Sequence, residues 1–216
     1  MDLYIDTANL DEIKEAAALG VLDGVTTNPS LIAKEKGAKY HARLKEICEV
    51  VKGPVSGEVI GVDYDTMMRE ADELIKIAEN IVVKLPTTVE GLKACKKLSD
   101  RGVKTNMTLV FQPLQALMVA KAGAFLVSPF IGRLDDVAED GVALIHQIRQ
   151  IYDTYGFTTK VLAASIRHNK HLVDCAMAGA DVATVPMNVI KGMLNHPLTE
   201  SGLKKFVEDY KKAFPG

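Results

Sequence analysis

Eight short apolar segments alternate with longer helical patterns along this 216-residue chain, and the alternation predicts an α/β fold, a (βα)8 TIM barrel with an extra C-terminal helix. Two further observations favour the barrel. The predicted strands are continuously apolar, which indicates burial on both faces, as in a parallel sheet. No GxGxxG motif, a mark of the rival doubly wound open sheet, follows the first segment.

The predicted strands are β-branched and apolar runs at 3–6, 24–27, 55–59, 81–84, 104–108, 125–128, 160–164 and 182–185. Residues with capping or helix-ending chemistry bound the helical segments between them. Asn9 is predicted to cap the first helix and Thr87 the helix after the fourth strand. Pro113 suits a first helical turn, and Asp135 is predicted to open the helix that Gly156 ends.

Residues 1–216 are predicted to form one barrel domain, because no linker, low-complexity tract or charge run marks a boundary. A further helix is predicted over 199–214, where apolar residues recur at helical spacing. Exposing this stripe to water is unfavourable, so we expect it to fold back on its own barrel or to pack on a neighbouring subunit. Its members are Leu203, Phe206, Val207, Tyr210 and Phe214.

Charge and composition restrict the partners of the chain. A net charge of −2 argues against nucleic acid or an anionic membrane surface as the main partner. No apolar run approaches the roughly 20 residues that cross a bilayer, and the N-terminus lacks the pattern of a signal peptide. The cysteines, at 48, 95 and 175, form no CxxC motif, so buried free thiols and a reducing cytoplasmic location are expected. His168 and His171 have a spacing that could bind a metal, but no third ligand is evident and no metal is expected.

Chemically useful residues stand at the carboxyl ends of nearly all the predicted strands. In a barrel these ends meet on one face, where the active sites of this fold lie. Any single member could be a cap or a solvated residue, but their convergence indicates a site. The strand-end residues are Asp6, Thr27, Asn28, Glu58, Lys84, Asn106, Thr108 and Ser128, and Arg133, Ser165 and Arg167 follow in loops.

Lys84 closes the apolar run 81–83 and is the most informative member of this set. Apolar surroundings favour the neutral form of an amine, and a neutral amine attacks carbonyl groups to form Schiff bases. The alternative is a lysine whose side chain extends from the strand end to water. Asp6 and Glu58 supply two carboxylates for proton transfer near a carbonyl.

The remaining residues suit a phosphorylated polyol. Asn28, Asn106 and Ser128 can hydrogen-bond hydroxyl groups, and Thr108 can hold a water. Three residues after strands six and seven can hold a phosphate through guanidinium groups and helix amides, namely Arg133, Ser165 and Arg167. For the two arginines, surface salt bridges are the alternative.

Six segments together resemble the transaldolase family, specifically the small subgroup that also contains fructose-6-phosphate aldolase. They are DTAN at 6–9, VTTNPSL at 25–31, VKLP at 83–86, TNMTL at 105–109, VSPFIGR at 127–133 and ASIR at 164–167. The resemblance implies transfer of a dihydroxyacetone unit between phosphosugars in the pentose phosphate pathway, from sedoheptulose 7-phosphate or fructose 6-phosphate to an aldose phosphate. It also implies an enzyme without metal or organic cofactor, and a homo-oligomer, a pentamer or a decamer of two pentamers, with exchanged C-terminal helices.

The resemblance also implies roles for individual residues. Lys84 resembles the Schiff-base lysine, and Asp6 the group that takes the C4 hydroxyl proton. Glu58 and Thr108 resemble the pair that handles the water of carbinolamine dehydration. The implied substrate-binding residues are Thr27, Asn28, Asn106, Ser128 and Phe130, with Arg133, Ser165 and Arg167 at the phosphate.

Two positions favour the transaldolase over the aldolase. Aldolases of the subgroup that release free dihydroxyacetone have glutamine and tyrosine where this chain has Glu58 and Phe130. Fructose-6-phosphate aldolase nevertheless stays as an alternative. A phosphosugar isomerase that uses Asp6 and Glu58 as acid and base, with Lys84 only electrostatic, is a second alternative.

Overall fold

In a computed structural model, which describes residues 1–214, eight parallel strands close into a barrel and pair in chain order. The predicted TIM barrel is therefore confirmed, and the predicted strand bounds agree with the observed ones to within two residues. The strands are β1 Asp2–Asp6, β2 Gly24–Thr26, β3 Val55–Glu58, β4 Ile81–Pro86, β5 Thr105–Val110, β6 Leu126–Pro129, β7 Lys160–Ala163 and β8 Val182–Val185.

Helices connect the strands, and two short ones, α2 and α7, were not predicted. Each short helix directly follows the carboxyl end of a strand and shapes the rim there. The helices are α1 Leu10–Ala18, α2 Pro29–Lys34, α3 Tyr40–Val50, α4 Tyr64–Leu74, α5 Val89–Asp100, α6 Pro113–Lys121, α7 Ile131–Asp135, α8 Gly141–Tyr155, α9 Asn169–Met177, α10 Met187–Met193 and α11 Pro197–Ala213.

Strand side chains alternate between two apolar clusters. Ile5 belongs to the larger cluster, between the strands and the helices, whereas Tyr4 and Leu126 belong to a smaller one inside the barrel. Because side chains alternate with a period of two, the residues two positions further along also face inward. These are Asp6 and Ser128, so the packed interior holds polar side chains at the carboxyl rim.

The structure confirms two helix starts and corrects a third. Asn9 caps α1 and Pro113 occupies the first turn of α6, as predicted. The cap of α5 is Thr88 rather than Thr87, because the Thr88 hydroxyl accepts a hydrogen bond from the first turn. The Thr87 hydroxyl instead donates to the carbonyl oxygen of Thr108, on the neighbouring strand β5, at 2.8 Å.

Asp135 does not open the long helix, because it is the last residue of the short helix α7. Asp140 is the cap of α8 instead. Asp135 Oδ2 lies 2.7 Å from His171 Nε2, and His168 caps α9 through its Nδ1. Within residues 1–214, no group of three or more His, Cys, Asp or Glu side chains is arranged to hold a metal ion.

The C-terminal helix α11 has no buried residue within the described chain. The predicted apolar stripe is present, and Phe206 and Tyr210 expose 70% and 66% of their surfaces. In this structure the stripe does not pack on its own barrel, which was one of the two expected outcomes. Among residues 1–214, none of the helices is both long and apolar enough to span a bilayer.

Candidate active site

Two adjoining cavities of about 150 and about 330 Å³ open at the carboxyl rim of the barrel. Lys84, Asn28, Phe130 and Arg133 line both, so Lys84 lies between them. The first cavity is also lined by Asp6, Asn106, Ser128 and Ser165, and the second by Glu58 and Thr108. All the predicted site residues except Thr27 and Arg167 thus line one cleft.

The Lys84 side chain is buried, with only 5% of the residue exposed. Its Nζ lies 3.1 Å from Glu58 Oε2 and donates a hydrogen bond to the carbonyl oxygen of Thr27 at 3.0 Å. The strand register sets this arrangement, because Glu58 on β3 and Asn106 on β5 are the direct neighbours of Lys84. The expected burial of Lys84 is present and the alternative of an amine extended to water is wrong, but the amine itself contacts polar rather than apolar groups. These polar partners offset the cost of burying the amine. One of them, the Glu58 carboxylate, can accept a proton from it.

Thr27 contributes its main chain to the site. Its hydroxyl donates to the carbonyl oxygen of Ser56 at 2.8 Å, while its own carbonyl oxygen faces the Lys84 amine. Thr27 therefore holds the lysine rather than lining the cleft.

Asp6 lies at the end of a chain of hydroxyl groups. Thr26 Oγ1 donates to Asp6 Oδ1 at 2.7 Å and lies 2.6 Å from Thr184 Oγ1. The Thr26 hydroxyl has one hydrogen, so Thr184 donates to Thr26. Burial raises the pKa of the Asp6 carboxyl, and the Thr26 hydrogen bond and the positive charges of Lys84 and Lys34 lower it without cancelling the effect. A carboxyl with a raised pKa is suited to accept and release a proton.

Asn106 connects two hydroxyl groups inside the barrel. Its Nδ2 donates to Ser56 Oγ at 3.1 Å, and its Oδ1 accepts from Ser128 Oγ at 2.6 Å. All three residues are buried, so these bonds fix the carboxamide orientation. The Asn28 carboxamide caps α2 by accepting from the Leu31 amide at 2.9 Å, which directs it to the rim.

Among the described residues, Thr108 has a buried hydroxyl in the cleft without a hydrogen-bond partner. Its Oγ1 makes no hydrogen bond to any of the described residues, although the residue is only 1% exposed. It shares the larger cavity with Glu58. A buried hydroxyl of this kind is suited to bind a water or a substrate oxygen.

The two predicted arginines have different surroundings. Arg133 lies over the Phe130 ring, with its guanidinium carbon 5.0 Å from the ring centroid. Arg167 forms an ion pair with Asp136 through both guanidinium NH2 groups, and this pairing holds the pKa of Asp136 below its ordinary value. The salt bridge considered as an alternative for Arg167 is therefore present, and Arg167 stands beside the cleft.

Ser165 reaches the cleft through an unusual backbone conformation. Its φ of 59° is in the left-handed region, and its carbonyl oxygen approaches Gly132 so closely that an added Cβ there would lie 2.3 Å away. Only glycine fits at that position, which keeps the loops after β6 and β7 in contact. The VSPFIGR and ASIR segments thus meet at the cleft.

Sequence reasoning missed several residues of the site. Thr184 had a usable signal, because it is the polar residue of an otherwise apolar strand, β8. Ser56 in β3 had a weaker signal, because that strand also carries the polar Glu58. Lys34, which lines the larger cavity, and Tyr40, which contacts the backbone of Glu58, carried no signal that distinguishes them from surface residues.

Comparisons with known proteins identify the family of this chain. Residues 3–215 match the family described as transaldolase/fructose-6-phosphate aldolase. A probable transaldolase of Bacteroides fragilis is 59% identical over 215 residues, covering 98% of this chain and 99% of the relative. Probable transaldolases of Geotalea uraniireducens and of Bacillus cereus strain ZK are 56% and 57% identical over 212 residues, each covering 98% of this chain and 99% and 98% of the relative. The chain therefore belongs to the transaldolase/fructose-6-phosphate aldolase family.

Proposed function

We propose that this chain is a transaldolase that moves a dihydroxyacetone unit from a ketose phosphate to an aldose phosphate through a Schiff base on Lys84. The ketose is sedoheptulose 7-phosphate or fructose 6-phosphate, as in the pentose phosphate pathway. The observation that carries the proposal is the buried Lys84 amine, 3.1 Å from the Glu58 carboxylate and between two cavities lined with hydrogen-bonding groups. The names of the relatives support the same activity.

Imine formation uses the contact between Lys84 and Glu58. Transfer of a proton from the ammonium group to the carboxylate gives a neutral amine, which adds to the C2 carbonyl carbon of the ketose. Glu58 then returns the proton to the carbinolamine hydroxyl, which leaves as water, and the nitrogen becomes an iminium. The Thr108 hydroxyl, in the same cavity, is suited to hydrogen-bond that water.

Carbon–carbon cleavage uses Asp6. Its carboxylate takes the proton of the C4 hydroxyl group, and the C3–C4 bond breaks. The electron pair of that bond moves toward the iminium nitrogen, which gives an enamine. The aldose product leaves while Asp6 keeps the proton, which the raised pKa of this carboxyl favours. Attack of the enamine on the acceptor aldehyde reverses these steps, and Asp6 returns the proton to the new hydroxyl.

The other residues hold the substrate. Asn28, Asn106 and Ser128 bind the hydroxyl groups of the dihydroxyacetone unit. Arg133 and Arg167, with the Ser165 loop, bind the phosphate, and Thr27 supports the lysine through its carbonyl oxygen. In this proposal the phosphate competes with Asp136 for the Arg167 guanidinium.

Phe130 favours transfer over release of free dihydroxyacetone. Its ring packs edge to face on Phe111, with centroids 5.9 Å apart, and presents an apolar wall to the cleft. It has no hydroxyl to position a water that protonates the enamine. The intermediate therefore persists until an acceptor aldehyde enters.

Fructose 6-phosphate separates the candidate activities. With an acceptor aldehyde, a transaldolase gives a new ketose and glyceraldehyde 3-phosphate, and borohydride traps a dihydroxyacetone-sized adduct on Lys84. Free dihydroxyacetone without acceptor would indicate the aldolase. Interconversion of ketose and aldose without any adduct would indicate the isomerase, as would full activity of a Lys84→Arg variant.

We also propose that helix α11 packs on a neighbouring copy of the chain in a cytoplasmic homo-oligomer, a pentamer or a decamer. The exposed apolar stripe of α11 supports this proposal, because burial of each large apolar side chain contributes about 1.5–3 kcal/mol. Leu203, Phe206, Val207 and Tyr210 are all more than half exposed within one chain.

A further inference from the structure

Tyr40, the first residue of α3, contacts both backbone polar groups of Glu58 through one hydroxyl. The hydroxyl donates to the carbonyl oxygen of Glu58 at 2.5 Å and accepts from its N–H at 2.8 Å. A single side chain thus satisfies the donor and the acceptor of the residue whose carboxylate faces the Lys84 amine.

These two backbone groups lack a strand partner because β2 is short. Along a parallel strand, the N–H and C=O of successive residues face alternate neighbours. The Val59 N–H donates to the Lys84 carbonyl oxygen at 3.0 Å, toward β4, so the backbone groups of Glu58 face β2. The pairing of β2 with β3 ends at Thr26 and Ser56, before it reaches Glu58. The Tyr40 hydroxyl takes the place of the missing strand.

The surroundings of Tyr40 keep its hydroxyl in the form that this double contact needs. Its ring packs against the core, and burial raises the pKa of Tyr40. The hydrogen bond with the Glu58 backbone lowers this pKa and the charges of Glu58 and Glu70 raise it, so that the pKa stays above its ordinary value. The hydroxyl therefore keeps its hydrogen and can donate to one backbone group while it accepts from the other. Loss of the hydroxyl would leave an N–H and a C=O without partners and would loosen the end of β3.

We propose that Tyr40 is a positioning residue for Glu58: it fixes the end of β3 so that the carboxylate stays within proton-transfer distance of Lys84. The inference rests on the proposed function, because it assigns Tyr40 to imine formation through Glu58. It assigns Tyr40 no part in the later cleavage step, which uses Asp6 on the other side of the cleft.

Tyr40→Phe tests this inference, since phenylalanine keeps the ring and removes the hydroxyl. In single turnovers with fructose 6-phosphate, borohydride trapping on Lys84 should be slower by roughly tenfold to a hundredfold. Tyr152→Phe is the matched control, because the buried Tyr152 hydroxyl also donates to a carbonyl oxygen, that of Ala116 at 2.7 Å, in the core. It should leave the trapping rate unchanged at temperatures where both variants are folded.

A double-mutant cycle separates positioning from general destabilisation. In a Glu58→Gln background the carboxylate is absent, so adding Tyr40→Phe should change the trapping rate by less than about twofold. An equal loss in both backgrounds, or an equal loss from Tyr152→Phe, would overturn the inference. Absence of any adduct in the wild-type enzyme would overturn the proposed function itself, and the inference with it.

Amide hydrogen exchange in the wild-type protein gives a readout that does not depend on the folding of a variant. In the wild-type protein, the Glu58 amide should exchange at least about tenfold more slowly than in an unstructured peptide. Tyr40→Phe should remove most of that protection while amides of β5 keep theirs. Fast exchange of the Glu58 amide in the wild type would refute the contact on which the inference depends.

Discussion

Replacing Thr26 with valine tests whether the hydroxyl chain controls the Asp6 carboxyl. Valine has a similar shape, so Thr26→Val removes the 2.7 Å hydrogen bond to Asp6 with little change in packing. A hydrogen bond to a charged group is worth about 1.5–3 kcal/mol, and a shift of one pKa unit corresponds to about 1.4 kcal/mol. The acid limb of the pH profile of kcat/KM should therefore move to higher pH by about one to two units. At a fixed pH on that limb, activity should fall by about tenfold to a hundredfold.

Stability should change with pH in the same variant. Burial already raises the pKa of Asp6, so the folded protein binds a proton that the unfolded chain has lost between the two pKa values. The stabilisation from this group is complete below the ordinary aspartate pKa and is lost as pH rises through the folded value. Thr26→Val raises the folded pKa further, so the Tm of the variant should continue to fall at pH values where that of the wild type has levelled.

Thr159→Val is the control for both measurements. Its hydroxyl is also buried and donates to the Ala124 carbonyl oxygen at 2.7 Å, but it precedes β7 at the opposite end of the barrel. The control should leave the acid limb in place. A Thr26→Val enzyme with an unmoved acid limb, or a control that moves it equally, would refute the assignment of this limb to Asp6.

Three further changes test other parts of the site. Glu58→Gln combined with Phe130→Tyr should raise the ratio of dihydroxyacetone release to transfer from fructose 6-phosphate, and a ratio equal to that of the parent would remove these positions as the discriminator. Arg133→Ala and Arg167→Ala should each lower kcat/KM for glyceraldehyde 3-phosphate by about tenfold to a hundredfold, through loss of a charged hydrogen bond. Equal losses with unphosphorylated glyceraldehyde would exclude both from the phosphate site. A chain ending at Thr199 should lose the homo-oligomer in light scattering, whereas an unchanged assembly would show that α11 does not hold it.

Much of the fold and of the site could be predicted because both depend on strand periodicity. Continuous apolar strands indicated the parallel barrel, and a polar residue at a strand end marked a side chain on the carboxyl rim. Asp6 and Ser128 follow inward-facing Tyr4 and Leu126 by two positions, so their placement is a consequence of the strand repeat. Lys84 and Glu58 contact each other because they are register neighbours on β4 and β3, a pairing that periodicity within a strand does not determine.

The chain by itself thus determined which side chains share the rim of the barrel, because periodicity and strand order are local properties of sequence. Only the tertiary structure decided what each one touches. The Lys84 amine proved to be paired rather than in apolar surroundings, and Arg167 is held by Asp136. Tyr40 replaces a strand that ends too early, a role that no local pattern records. These contacts join residues far apart in sequence, and they depend on where the strands stop and how the loops between them turn.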